Sequence, residues 1–203
     1  MVSIDAGDRA KQERRRQILA AAKAVFADAG YHGASINAII ERAQIARGTF
    51  YLYFDSKSAV FDSILDQAMA DLRNRLHRIE VDDPTAPPPQ VQLRAQIVAA
   101  LEYVVGDRAL ATLLLSAGHT PDVDASERLD QFFSEVAGLL RRALESGMEL
   151  GLVRTCHAEL VAGAMLGLIR GVIEWIVRHG GGRSTIDEVV DEMILVALRG
   201  VLR

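Results

Sequence analysis

The amino-acid sequence predicts an all-α protein of about nine helices, and three observations lead to this class. Half of the 203 residues are hydrophobic but only 5% are aromatic, so small and aliphatic residues supply most of the apolar content. Apolar residues recur every three or four positions along most of the chain, which is the period of an amphipathic helix. No segment shows the alternation of apolar and polar residues that a half-buried strand needs.

The composition also restricts the kind of protein. Charged residues are 25% of the chain, as in globular proteins. Cys156 is the single cysteine, so it forms no intrachain disulfide and suits a reducing cytoplasm. The N-terminus has no apolar signal segment, and charges interrupt each apolar run before about 18 residues. We therefore expect a cytoplasmic protein that does not span a membrane.

The first predicted helix runs from about Arg9 to Ala29 and ends at Gly30. Its first turns carry several basic side chains, which either form a solvated helix start or contact DNA phosphates. The net charge divides along the chain, since residues 1–57 carry +3 and residues 58–203 carry −7. A basic front on an acidic body orients a protein on a polyanion.

Two short helices follow the first one. Ser35 is placed to cap the earlier helix, and residues 44–46 form a tight turn before the later helix begins at Arg47. Two short helices joined by a turn of three or four residues form a helix-turn-helix, whose second helix can enter the major groove of DNA. Phe50 and Phe54 lie four residues apart and are predicted to face the core.

The side chains around this second helix suit contact with DNA. Gly48 lets the backbone approach a phosphate or a base edge, and Thr49 and Tyr51 offer hydroxyl groups. Arg47 and Lys57 bring positive charge to its two ends. These residues predict that the segment binds DNA.

The segments AVFADAGYHGASINAIIERAQIA and RGTFYLYFDSK resemble the TetR family of bacterial transcriptional regulators. The resemblance is close from about residue 10 to residue 65, and beyond that it extends to length and helical pattern. The family often has Gly where Gln44 stands and Ser where Ala46 stands. Gln44 is therefore predicted at a left-handed helix end, and Ala46 is a poor N-cap that costs roughly 0.5–2 kcal/mol relative to Ser.

The resemblance also implies which residues contact DNA. Family members often contact DNA at the positions of Arg47, Gly48, Thr49, Tyr51, Leu52 and Lys57. Leu52 replaces a polar residue that is more common there, and it can pack against a thymine methyl group. Three more candidates have alternatives: Ser35 binds a phosphate or only caps its helix, Asn37 contacts DNA or solvent, and Tyr53 contacts phosphate or is structural.

The rest of the chain is predicted to be helical. A helix over about 58–77 follows the motif, and residues 80–90, with four of the five prolines, form a loop. Five further helices are predicted at about 91–105, 107–117, 124–149, 156–179 and 185–202. We accordingly predict a DNA-binding domain over residues 9–57 and a helical domain for ligand binding and dimerisation over residues 58–203.

One stripe of the predicted helix 156–179 consists of glycines, Gly163, Gly167 and Gly171. These glycines allow another backbone to approach closely, and the last helix adds apolar residues at Val189, Met193 and Val196. Simple burial in the monomer is one interpretation. The preferred interpretation is a twofold interface that forms a four-helix bundle, as the family resemblance also implies.

Scattered polar residues in apolar helices are candidates for an effector site, because small-molecule cavities are apolar with a few polar groups. The candidates are Tyr103, Arg108, His119, Arg170, Glu174 and Trp175. Two of them have simpler explanations, since Arg170 and Glu174 can form a surface ion pair. His119 is more typical of a loop residue than of a metal ligand.

The sequence contains no catalytic, phosphate-binding or metal-binding motif, and Cys156-His157 is too short a pair for a zinc site. We therefore predict neither an enzyme nor a cofactor. The predicted function is a dimeric repressor that binds a pseudo-palindromic operator and is released by a small hydrophobic or amphipathic effector. Alternatives are an activator, a regulator without an effector, or a helical small-molecule-binding protein or enzyme whose helix-turn-helix is only a scaffold.

Overall fold

The computed structural model describes residues 6–116, 122–180 and 183–199 of the chain. Within these residues the protein forms nine α-helices and no strand, which confirms the predicted all-α class. The helices are α1 (Ala6–Gly33), α2 (Ile36–Ala43), α3 (Arg47–Tyr51), α4 (Lys57–Arg73), α5 (Pro89–Gly106), α6 (Arg108–Leu115), α7 (Val123–Glu149), α8 (Ala158–His179) and α9 (Arg183–Arg199).

The helix ends follow local sequence signals. Gly30 interrupts α1 with φ 68° and ψ 166°, where the sequence predicted its end. Pro89 occupies the first turn of α5, where a missing N–H costs nothing. The fourth helix ends at Arg73, four residues before the predicted end at His77, and the connection to α5 is correspondingly longer.

The chain divides into two compact units. The first contains Met1–Ala68 and Thr112–Leu129, and the second contains Met69–Ala111 and Asp130–Arg203. In the first unit α1 packs on α2, and the rings of Phe26, Tyr31 and Phe61 cluster with centroids 4.8–5.5 Å apart. Helix α4 buries apolar side chains at Val60, Phe61, Ile64, Leu65, Ala68 and Leu72.

In the second unit α5 packs against α8 and α9. Arg94 of α5 joins two carboxylates of α9, since its Nε lies 2.6 Å from Asp191 Oδ1 and its Nη2 lies 3.0 Å from Asp187 Oδ1. The guanidinium group of Arg94 lowers the pKa of Asp191 through this hydrogen bond. Apolar side chains complete the contact, with Val98, Ile173, Ile176 and Val190 buried.

Among the described residues, α8 is the one helix long and apolar enough to cross a membrane by length and composition. Core helices of globular proteins pass the same test, so this is weak evidence for a membrane. Only 17% of its apolar window is buried within the chain. Of its 22 residues, ten are exposed and nine are half-buried in the part of the chain that the structure describes.

The turn between α2 and α3 has the predicted left-handed residue. Gln44 adopts φ 52° and ψ 47°, and its N–H donates to Glu41 O at 3.1 Å. The next N–H, of Ile45, donates to Ile40 O at 3.3 Å, so the last carbonyl groups of α2 are satisfied. Ala46 forms no side-chain cap on α3, as predicted.

Replacing Gln44 by Gly is expected to stabilise the protein by about 0.5–1 kcal/mol, because Gly adopts the left-handed conformation without the clash of a Cβ atom. The melting temperature should rise by roughly 1–4 °C in circular dichroism. Gln12→Gly, at an exposed helical position in α1, is the matched control and should cost about 1 kcal/mol. Equal destabilisation by both substitutions would contradict the role of the backbone at position 44.

Candidate nucleic-acid interface and cavity

The first helix of the motif is capped as predicted. The hydroxyl oxygen of Ser35 accepts a hydrogen bond from the Ala38 N–H at 3.1 Å. Asn37, the second residue of α2, is exposed. The hydrogen bond that caps α2 does not test whether Ser35 or Asn37 contacts DNA. Their contacts with a phosphate or a base therefore stay predictions.

The inner side of the motif is held by two aromatic rings. Phe50 is fully buried and Phe54 is 4% exposed, which confirms that both face the core. Their centroids lie 6.1 Å apart, and the Arg15 guanidinium of α1 lies 5.3 Å from the Phe54 ring. Gln17 of α1 adds a hydrogen bond from its Nε2 to Ala43 O at 2.6 Å. The basic first helix thereby contacts α2 and the segment that follows α3.

The outer side of α3 carries Gly48, Tyr51 and Leu52, which share one helical face because they are three and four residues apart. Tyr51 is 42% exposed and Leu52 is 79% exposed. A Cβ atom added at Gly48 would meet no atom within 4 Å. Arg47 is also exposed, and its guanidinium carbon lies 5.9 Å from the Tyr51 ring centroid. This face is open to a large partner.

The remaining two candidates, one in α3 and one just after it, are half-buried. Thr49 and Tyr53 each retain part of their surface, while Arg47, Gly48, Tyr51 and Leu52 are exposed. All six residues therefore keep some surface that a partner can reach. Which of them contact DNA stays a prediction.

Lys57 occupies a defined place at the start of α4. Its Nζ donates to Tyr31 O at 2.7 Å and to Ala34 O at 3.2 Å, and it lies 4.2 Å from the Tyr31 ring centroid. The ammonium group thus satisfies carbonyl groups at the end of α1 and stabilises the fold. The predicted DNA contact of Lys57 would have to be made from this position.

Arg128 of α7 belongs to the same unit and binds two carboxylates of α4. Its Nε donates to Asp62 Oδ1 at 2.7 Å, and its Nη2 donates to Asp66 Oδ1 at 3.2 Å. These hydrogen bonds, first of all the one to Asp62, raise the pKa of Arg128. The first half of α4 is therefore fixed by Lys57 on one side and by Arg128 on another.

The predicted effector residue Tyr103 has partners inside its own unit. Its hydroxyl group donates to Asp71 Oδ2 at 3.0 Å, and the Arg75 guanidinium lies 4.2 Å from its ring centroid. Burial, followed by the charge of Asp71, raises the pKa of Tyr103. This cluster links α4 to α5 and gives Tyr103 a structural role.

Three of the other effector candidates lie on α8. The Arg170 guanidinium lies 4.5 Å from the Phe133 ring centroid, and Glu174 pairs with Arg178 at 2.5 Å. Trp175 stacks on His179 with centroids 4.8 Å apart. Arg108 is exposed, and His119 lies outside the described residues.

The second unit contains a cavity of about 160 Å³. Its lining residues are Ile79, Pro89, Gln90, Leu93, Leu140, Ala143, Leu144, Gly147, Leu152, Val153 and Met165. None of the five described effector candidates is among them. Sequence patterns could have identified the α7 residues, because Leu140, Leu144 and Gly147 recur at helical spacing. The proximity of Ile79 and Pro89 to them depends on the tertiary fold.

The predicted interface residues are mostly exposed in the single chain. Gly163, Gly167 and Gly171 lie on the exposed face of α8, and a Cβ atom on any of them would meet nothing within 4 Å. On α9, Val196 is 69% exposed and Val189 is half-buried, but Met193 is 7% exposed and belongs to the core of its own unit. The open glycine stripe and Val196 retain surface that a second chain can cover.

An all-α chain with a helix-turn-helix near its N-terminus, whose second helix exposes polar and basic residues, has the architecture of a DNA-binding transcriptional regulator. Residues 18–64 match the family described as bacterial regulatory proteins, tetR family. Residues 86–201 match the tetracyclin repressor-like C-terminal domain. The chain therefore belongs to the TetR family of transcriptional regulators, which confirms the resemblance.

Individual relatives agree with this assignment. The transcriptional repressor KstR2 of Rhodococcus jostii is 25% identical over 94% of this chain and 92% of its own length. The transcriptional activator FasR of Mycolicibacterium smegmatis is 29% identical over 75% of this chain and 69% of its own. The structure of FadR from Bacillus subtilis in complex with stearoyl-CoA has a TM-score of 0.74 at 21% identity, covering 91% and 98% of the two chains.

Lys57→Met should destabilise the protein by about 1–3 kcal/mol, because it removes two charge-assisted hydrogen bonds to the end of α1. Thermal unfolding measures this loss, and Lys11→Met, at an exposed position of α1, should change stability by less than about 0.5 kcal/mol. A stable Lys57→Met variant would show that these bonds contribute little. If Lys57 also contacts a phosphate, Lys57→Met should lower the slope of log DNA affinity against log salt concentration by about one ion. That result would establish the separate DNA contact.

Proposed function

We propose that this TetR-family regulator is a dimeric repressor that binds a pseudo-palindromic operator and is released by a small effector. The observation that carries the DNA-binding part is the outer face of α3, where Gly48, Tyr51 and Leu52 are open above the buried Phe50. The proposed DNA contacts come from Ser35, Asn37, Arg47, Gly48, Thr49, Tyr51, Leu52, Tyr53 and Lys57. The protein acts on DNA in the cytoplasm and needs no cofactor.

The exposed side chains indicate how the contacts differ. Arg47 supplies charge for phosphates, while Tyr51 supplies a hydroxyl group for a phosphate or a base edge. Leu52 has no hydrogen-bonding group, and the methyl group of thymine is the apolar group that bases present in the major groove. We therefore expect a thymine opposite Leu52 in each half-site.

A dimer is supported by the surface of α8. An apolar helix with 17% of its apolar window buried gains stability when a second copy covers it. The open stripe of Gly163, Gly167 and Gly171 allows two α8 helices to approach closely. A twofold dimer contains two copies of α3, and a spacing of roughly 34–36 Å between them would match successive major grooves.

Release by an effector is supported by the cavity of the second unit and by the relative FadR, whose structure contains stearoyl-CoA. An effector weakens operator binding if it binds better to the conformation that does not fit the operator. Helix α4 has residues in both units, so it is the element that we expect to change. An activator is the second candidate, because the relative FasR is an activator.

Gly48→Ala should weaken binding to the operator by at least about tenfold, because the added methyl group meets DNA where the backbone approaches it closely. Fluorescence anisotropy with DNA flanking the protein's own gene, against random DNA, measures the loss. Inside the protein the new Cβ atom meets nothing, so folding should be unchanged.

Gly106→Ala is the matched control, since it is also exposed and open but lies in the second unit. It should bind the operator like the wild type. Equal affinity of the wild type for operator and random DNA would reject operator recognition by these flanking sequences. Unchanged binding by Gly48→Ala would place the DNA surface elsewhere.

Gly167→Phe should convert the dimer to a monomer, because the ring occupies the space that the second α8 helix needs. Sedimentation equilibrium should then give the chain mass of 22.1 kDa, whereas the wild type gives twice that value. Gly106→Phe is the control and should remain dimeric. A monomeric wild type, or a dimeric Gly167→Phe variant, would argue against this interface.

A further inference from the structure

We infer that the cavity of the second unit binds a small uncharged apolar molecule, about the size of benzene or toluene, and excludes ionised ligands. Whether the cavity binds such a molecule does not depend on the regulatory function. The role of that molecule as an effector rests on the function proposed above. The sequence alone led us to expect a hydrophobic or amphipathic effector held by polar groups. The residues that line the cavity restrict this class of ligand to small, uncharged, apolar molecules.

The volume sets the size of the ligand. An apolar cavity of about 150 Å³ engineered in another protein binds benzene. The cavity here measures about 160 Å³, so it holds a molecule of roughly six to ten non-hydrogen atoms. A long acyl chain exceeds this volume, although the relative FadR was crystallised with stearoyl-CoA.

The lining sets the chemistry of the ligand. Of the eleven described residues that line the cavity, ten are apolar or glycine, and Gln90 is the polar one. An ion in such a site loses its hydration and gains no compensating partner, which costs several kcal/mol. The lining therefore selects neutral molecules.

The exposure of the lining residues shows where the cavity opens. Leu144 is 6% exposed, and most other lining residues are half-buried. Gln90 and Ala143 are exposed, so the mouth lies between α5 and α7. A single uncharged polar group on the ligand, such as a hydroxyl, can point to this mouth and reach the Gln90 amide.

Backbone hydrogen bonds build one wall of the cavity. The N–H groups of Leu152 and Val153 both donate to Gly147 O, at 2.9 and 3.0 Å, so the chain after α7 folds back over its last turn. A Cβ atom at Gly147 would lie 2.6 Å from Val153 Cγ2. Glycine is therefore required at this position for Val153 to line the cavity.

The side-chain amide of Gln92 on α5 holds the opposite wall. Gln92 Nε2 donates to Glu80 O at 2.8 Å and to Pro87 O at 2.6 Å, and its Oε1 accepts from the Glu80 N–H at 2.9 Å. These bonds fix the proline-rich connection that contains Ile79. Both walls are thus held without a ligand, and a preformed cavity binds with little cost in ordering the protein.

Methionine methyl groups allow binding to be located in the full-length protein. Met165 lines the cavity, whereas Met69 and Met193 are buried elsewhere in the same unit. With ¹³C-methyl methionine, toluene should shift the Met165 signal with a dissociation constant of about a millimolar or below, and leave the Met69 and Met193 signals unchanged. Benzoate, which has a similar ring but carries a charge, should bind at least about a hundredfold more weakly.

Two variants test the location from opposite directions. Ala143→Phe places a ring at the mouth and should abolish the toluene shift, while Ala95→Phe, the same change at an exposed position of α5 outside the lining, should preserve it. Leu140→Ala enlarges the cavity and should favour ligands larger than toluene. Circular dichroism confirms that each variant is folded, and Leu140→Ala gives a second test if Ala143→Phe does not fold.

The outcomes separate binding from regulation. A toluene shift at Met165 that Ala143→Phe removes supports the inference. No shift, equal shifts at Met165, Met69 and Met193, or equal binding of benzoate would overturn it. Operator binding is then measured with toluene by anisotropy. If toluene binds the cavity and operator affinity stays unchanged, the binding site stands and the effector role fails.

Discussion

The burial of Phe50 and Phe54 is the interaction on which the DNA-binding unit depends. A helix of five residues is unstable alone, because nucleation costs more than its few hydrogen bonds contribute. Phe50 is completely buried and Phe54 almost so, and these contacts fix α3 against its unit. The same anchoring turns Gly48, Tyr51 and Leu52 outward, since they occupy the other side of the helix.

The fixed position of α3 in turn depends on the ends of its neighbours. Gln44 closes α2 in a left-handed conformation, and Lys57 satisfies carbonyl groups at the end of α1. Both residues therefore support the surface by shaping the backbone around it. A residue can matter to DNA binding in this way without contacting DNA, which is why the positioning role and the contact role of Lys57 need separate measurements.

The second unit differs from the first, because its apolar surface stays uncovered in two places. The glycine stripe of α8 is open on the outside of the unit, and Gly147 and Val153 border an opening inside it. The glycine stripe suits a second chain, because glycines let another helix approach closely along the whole stripe. The inner opening suits a small neutral molecule, since it is narrow and its lining has no ionisable side chain among the described residues.

The sequence by itself determined the helices, the helix-turn-helix, the buried pair of phenylalanines and the left-handed turn at Gln44. These features follow from local periodicity, capping and the distinctive conformations of particular residues, all of which are readable along the chain. The cavity was decided only by the tertiary structure, because Ile79, Leu144 and Met165 come from separate segments. Tyr103 shows the same limit: only the fold shows that Asp71 and Arg75 lie beside it, and its contact with a ligand stays a prediction.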